Sequence, residues 1–226
     1  MSTLLSRAGW LRVLPFVLFM VLLAARGAVP EDGSWGVDPR WLYAAQALLV
    51  GGLMVYLWRE YGELARQQLP TAGQVVLAVV VGVAVFGLWI VLDQPWMMLG
   101  EATASFVPKD AAGNIDWTLV AFRLLGAAIV VPLMEELFWR SFLMRWIENP
   151  VFEGVDPQRV GLKAIVLSTF VFTLAHTQWL AAVIAGLAYA ILYVRTGRLW
   201  VPVIAHAVTN GVLGLWVIKT GNWQFW

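Results

Sequence analysis

Two adjacent carboxylates and a guanidinium, Glu135, Glu136 and Arg140, sit inside an apolar segment at 117–147 that otherwise carries little charge. Ionisable groups at membrane depth are costly, rare and in need of partners. The chain has two histidines, His176 and His206, each inside another apolar segment and each with a neighbour four residues away: Phe172 before the first, Asn210 after the second. Residues four apart share a helix face, so Glu136 and Arg140 can pair. Glu135 is turned about 100° away and is free to face a cavity. Two neighbouring carboxylates then meet different environments and can do different work. A carboxylate and an imidazole around one water form a general-base arrangement. An imidazole and an amide on one face can donate to a developing oxyanion. Together they suit attack of water on a carbonyl carbon, as in amide hydrolysis. Glu135, His176 and His206 are also a possible ligand set for a divalent metal such as zinc. The spacing His-Glu-x-x-His that would argue strongly for zinc is absent.

Those side chains need helices to hold them. The chain is 61% hydrophobic and 13% charged, against about 45–50% and about 25% in an average soluble domain. That gap predicts an all-α, polytopic transmembrane bundle forming a single integral membrane domain over 1–226. Apolar segments recur at 10–29, 41–58, 74–92, 117–147, 161–176, 180–194 and 199–218, which predicts about seven spans at ~20 residues each. Trp10, Trp41, Trp58, Trp117, Trp146, Trp179, Trp200 and Trp216 fall near the proposed ends, where amphipathic rings collect. The basic residues before the first segment resemble a secretory signal. The polytopic chain that follows favours an uncleaved first span.

Lys and Arg favour the cytoplasmic side. An N-terminus inside puts Arg7, Arg12, Arg59, Arg66, Arg145, Arg159, Lys163, Arg195 and Arg198 there, and leaves Arg26, Arg40, Lys109 and Lys219 outside. The connection at 93–116 is then external, and 94–98 is expected to lie along the interface. Counting ~1.5 Å per residue from the cytoplasmic ends puts Glu135 about 18 Å deep, His176 about 22 Å and His206 about 10 Å. This predicts one shared region, open towards the cytoplasm. Pro132 cannot donate to the carbonyl of Ala128, so the helix should loosen one turn before the carboxylates. Arg123 is expected to snorkel or to pair with Asp93 or Asp116. The absence of cysteine excludes disulfides, thiolate metal sites and a cysteine nucleophile, and a net charge of +1 points to no nucleic acid.

In order, Glu-Glu-x-x-x-Arg at Glu135, Glu136 and Arg140, Phe-x-x-x-His at Phe172 and His176, and His-x-x-x-Asn at His206 and Asn210 resemble the CAAX-protease and bacteriocin-processing family of intramembrane proteases (Rce1-like, or Abi). The run from Gly197 to His206 resembles that family's Gly-x-Leu-Trp-x-Pro-x-x-x-His stretch, and the likeness covers about 117–216 as a catalytic core. The chain's size and tryptophan content resemble the branch linked with exosortase sorting systems. The resemblance implies an endopeptidase in which Glu135 and His176 activate water, His206 and Asn210 stabilise the oxyanion, and Glu136, Arg140 and Phe172 support the site. It leaves metal-dependent and metal-free routes open. It also implies a peptide substrate, lipidated or a sorting or leader sequence, in a bacterial inner membrane. Two other readings remain: a non-catalytic scaffold or immunity-type membrane protein that keeps the ion pair for packing, and a transporter or proton relay. No two-half symmetry favours the latter.

Overall fold

The computed structural model describes residues 5–30, 34–100 and 106–226. Seven helices stand where the apolar segments predict them: α1 (Arg7–Gly27), α2 (Pro39–Tyr56), α3 (Ala72–Val91), α4 (Trp117–Glu148), α5 (Leu162–Leu174), α6 (Trp179–Thr196) and α7 (Trp200–Thr220). Their ends follow local chemistry. The side chains of Ser6, Asp38, Thr71 and Asp116 accept from backbone N–H groups of the first turns of α1, α2, α3 and α4, satisfying donors that have no partner inside the helix. Gly197 and Gly221 end α6 and α7 in the left-handed conformation that glycine adopts without strain. Among the described residues no strand forms beyond one isolated bridge, Lys109 to Ile115.

Five helices, α1, α3, α4, α6 and α7, are long and apolar enough to cross a membrane. That is fewer than the seven spans expected. α2 has 18 residues but is not among the five; it opens on Pro39-Arg40 and buries Gln46, which donates to the Phe19 carbonyl at 2.8 Å. α5 has only 13 residues, about 20 Å of helix against a hydrocarbon core of about 30 Å. It stops because its last turn tightens: Ala175 N–H donates to the Phe172 carbonyl and His176 N–H to that of Thr173. Exposed Val76 and Val80 on α3 and Phe170 and Leu174 on α5 give the bundle an apolar outer surface, as a protein dissolved in lipid requires. This is an integral membrane protein.

The helices alternate in direction. At one end Arg7 pairs with Glu60 at 2.8 Å, Arg12 with Glu63 at 2.6 Å, and Gly161 N–H donates to Glu148 at 2.9 Å. At the other, Arg40 donates to the Lys109 carbonyl at 2.6 Å, Trp179 to that of Trp96 at 3.0 Å, and Gln178 to that of Trp89 at 2.9 Å. Positions 101–105 of the 93–116 connection lie outside the described residues; of the rest, Pro95–Met97 forms a 3₁₀ turn that leaves Trp96 exposed. The closest helix pairing is between α3 and α7. A Cβ at Gly82 would overlap the Ala205 carbonyl oxygen and stand 2.9 Å from Val208 Cβ. Only glycine admits that approach.

α4 carries the two carboxylates and is not a uniform α-helix. A π-helical stretch, Gly126–Val130, precedes Pro132, and a second, Leu137–Met144, follows Glu136. The proline, which has no N–H to give, sits just past the first widened turn. This is the loosening expected there. Glu135 and Glu136 occupy the short α-helical piece between the two stretches, Val131–Glu136.

Candidate active site

Glu136 is fully buried and meets two partners. Arg140 Nε stands 3.2 Å from one carboxylate oxygen, and His206 Nδ1 stands 2.9 Å from the other. The first contact follows from the i, i+4 spacing. The second joins α4 to α7, and spacing within one segment gives no sign of it. The Arg140 guanidinium is placed from three further sides. Its Nη2 donates to the Gly186 carbonyl at 3.2 Å, and its Cζ lies 4.6 Å from the centre of the Phe172 ring and 5.6 Å from that of Tyr189. Phe172 thereby links Arg140 to His176, whose ring lies 4.3 Å away.

Tyr189 is a site residue the sequence did not single out. Its ring stacks on His206 with centroids 4.9 Å apart and planes 20° apart. Its hydroxyl donates to Thr209 at 2.8 Å, and the Thr209 hydroxyl lies 2.8 Å from the Gly82 carbonyl, its acceptor. The imidazole of His206 is thus fixed in plane by Tyr189 and in rotation by Glu136. No regularity of spacing on α6 separates Tyr189 from an ordinary core aromatic.

His176 sits beyond the last turn of α5, and its Nδ1 lies 2.8 Å from the Phe172 carbonyl. A carbonyl only accepts, so Nδ1 carries the proton, and in the neutral ring Nε2 is an acceptor. The edge of Trp89 lies against the same ring at 5.8 Å. Asn210 donates from Nδ2 to the Ala127 carbonyl at 2.8 Å, inside the first π stretch of α4, and keeps a second amide hydrogen.

Glu135, His176, His206 and Asn210 all line one cavity of about 260 Å³. Glu135 is buried and its Oε2 has no hydrogen-bond partner. A buried carboxylate oxygen without a partner is a place for water. α4, α7 and the turn after α5 therefore meet around one space, as the sequence predicts for these three segments. Its direction is not as predicted. The lining runs from Glu135 to Tyr43, Trp89 and Arg123, at the start of α2, the end of α3 and the start of α4. The lining thus extends towards the end opposite Arg7 and Arg12, whereas the sequence predicts a site open towards the cytoplasmic end. His176 lies two residues past the end of α5, at about the depth the count from its start gives. Arg123 departs from expectation too: it forms no ion pair with Asp93 or Asp116 and lies over the Tyr43 ring at 4.4 Å.

Among the described residues, no group of three His, Asp or Glu side chains is arranged to hold a metal ion. The Nδ1 atoms of both histidines face protein oxygens, which fixes each ring and leaves its Nε2 to the cavity. Glu135, His176 and His206 thus share a cavity without forming the ligand set that the sequence left open.

Residues 117–212 match the family described as Type II CAAX prenyl endopeptidase Rce1-like. The chain is 29% identical over 94 residues to YdiL of Bacillus subtilis (strain 168), a proposed membrane peptidase, covering 40% of this chain and 35% of that one. It is 24% identical over 140 residues to the membrane-embedded CAAX protease MroQ of Staphylococcus aureus (strain USA300), covering 52% and 55%. The alignments span about a third to a half of the length of these relatives. No solved structure matches the chain. The matched segment, 117–212, holds Glu135, Glu136, Arg140, His176, His206 and Asn210 together, and it is over this stretch that the chain is similar to the Rce1-like family.

Proposed function

We propose that the protein is an intramembrane endopeptidase that hydrolyses a peptide bond with water activated by Glu135 and His176. The observation that carries this reading is the buried Glu135 oxygen without a partner, facing a cavity that His176, His206 and Asn210 also line. Glu135 takes a proton from water while the water oxygen attacks the carbonyl carbon. Asn210 donates its second amide hydrogen to the oxyanion, and His206, whose Nδ1–H is held by Glu136, donates from Nε2 when its ring carries both protons. The proton then passes to the departing amide nitrogen, with the Nε2 of His176 as a second acceptor for the water, and the C–N bond breaks. Glu136 and Arg140 do not touch the reacting atoms; they hold His206 and the turn of α4 that presents Glu135. The likeness to a CAAX prenyl endopeptidase family and to MroQ supports a protein or peptide substrate, lipidated or a leader or sorting peptide. The charge distribution supports an N-terminus on the cytoplasmic side, and the bacterial relatives support a bacterial cell membrane.

The test is cleavage of a membrane-anchored reporter by Glu135→Ala, His176→Ala, His206→Ala and Asn210→Ala proteins of wild-type folding. The first three are expected to be inactive and the last impaired. Wild-type cleavage by all four sinks the peptidase reading.

A further inference from the structure

Arg123 lines the same cavity as Glu135, with its guanidinium carbon 4.4 Å from the centre of the Tyr43 ring and 5.5 Å from that of Phe106. Arg26, in the last turn of α1, lies over the same Tyr43 ring at 5.3 Å. The two cations therefore share one aromatic neighbour, Tyr43, which lines the cavity. Among the described residues no carboxylate forms an ion pair with either, and Arg123 Nε and Arg26 Nη1 are buried without a hydrogen-bond acceptor. Two neighbouring guanidiniums repel, and donors buried without acceptors cost free energy. An anion entering here would relieve both costs. The Arg123 head lies against the Tyr43 and Phe106 rings and lines the cavity.

We infer that Arg123, assisted by Arg26, is a subsite for a carboxylate carried by the chain that occupies the cavity. A carboxylate matches the planar donor fork of a guanidinium. Arg123 precedes Glu135 on α4, about 18 Å away along the helix at ~1.5 Å per residue. An extended peptide covers ~3.3 Å per residue, so the carboxylate lies about five residues from the bond at Glu135. The subsite rests on the peptidase reading only for what carries the carboxylate. Its binding is measurable without turnover.

The experiment is equilibrium binding of a fluorescent N-palmitoyl pentapeptide with a free α-carboxylate, and of its C-terminal carboxamide, to the Glu135→Gln protein in phosphatidylcholine nanodiscs. The acid is expected to bind about 10- to 100-fold more tightly than the amide. Adding Arg123→Gln should abolish that ratio, Arg123→Lys should keep part of it, and Arg26→Gln should reduce it. Equal binding of acid and amide, no binding of either, or a ratio that survives Arg123→Gln overturns the subsite. So does phosphatidylglycerol displacing the acid peptide through Arg123, which would make this a lipid-headgroup site. A protein that shows the ratio but whose wild type cleaves nothing would instead refute the peptidase reading and leave the subsite standing.

Discussion

Replacing Glu136 by glutamine removes one charge from between two partners and changes almost no volume. The carboxylate is fully buried, Arg140 is 3% exposed, and the contacts are 3.2 Å to Arg140 and 2.9 Å to His206. Losing one member of a buried pair costs about 3–5 kcal/mol, because the other charge is left uncompensated. Arg140 keeps the Gly186 carbonyl and the faces of Phe172 and Tyr189, and glutamine still offers His206 an acceptor, which places the loss near the lower end, about 3 kcal/mol. The effect on catalysis has a different origin. His206 loses its charged anchor and the turn carrying Glu135 loses its clamp, and a displacement of about 1 Å costs about 100-fold in kcat. Reversible unfolding in detergent measures the first quantity and reporter cleavage the second. The double variant Glu136→Gln with Arg140→Met removes the stranded cation, so stability should recover while activity stays low. If the two substitutions are additive, with a coupling below about 0.5 kcal/mol, the buried-pair reasoning is wrong.

At the opposite end of the bundle, Glu63 accepts from Arg12 at 2.7 and 2.6 Å and from the Ser141 hydroxyl. Burial alone would raise its carboxyl pKa, but the Arg12 contacts and the Ser141 hydroxyl outweigh burial and hold it below the ordinary carboxylate value. A depressed folded-state pKa stabilises the fold above the unfolded value and loses that contribution as pH falls through the folded one. The unfolding midpoint should therefore drop below about pH 4.5, and Glu63→Gln should flatten that drop; an unchanged pH profile contradicts the assignment. Gly82→Ala should destabilise by about 1–3 kcal/mol or more by forcing α3 from the Ala205 carbonyl, read as a lower thermal midpoint, and an unaltered midpoint refutes the close packing. Cleavage by purified enzyme should survive exhaustive chelation; loss of activity restored by added metal would assign Glu135, His176 and His206 as ligands after all.

The sequence disclosed the helices because lipid enforces long apolar runs, with tryptophans gathered near their ends. It disclosed the Glu136–Arg140 pair because that contact is local, four residues along one helix. It did not disclose the partnership of Glu136 with His206 or of Tyr189 with His206, since each spans helices far apart in the chain. α5 was read too long: an apolar run says where a helix can continue, whereas the tightening after Phe172 decides where it stops. Arg123 looked like a snorkelling cation because its neighbour Tyr43 comes from another helix.

The most direct measurement is kcat for the Glu135→Gln protein, assayed beside wild type on the same membrane reporter with matched folding. Removing a general base that faces the reacting water should lower kcat by about 1,000-fold while KM stays near the wild-type value. A Glu135→Gln protein that cleaves at close to the wild-type rate would show that the water is activated elsewhere, and the account of this cavity would fall.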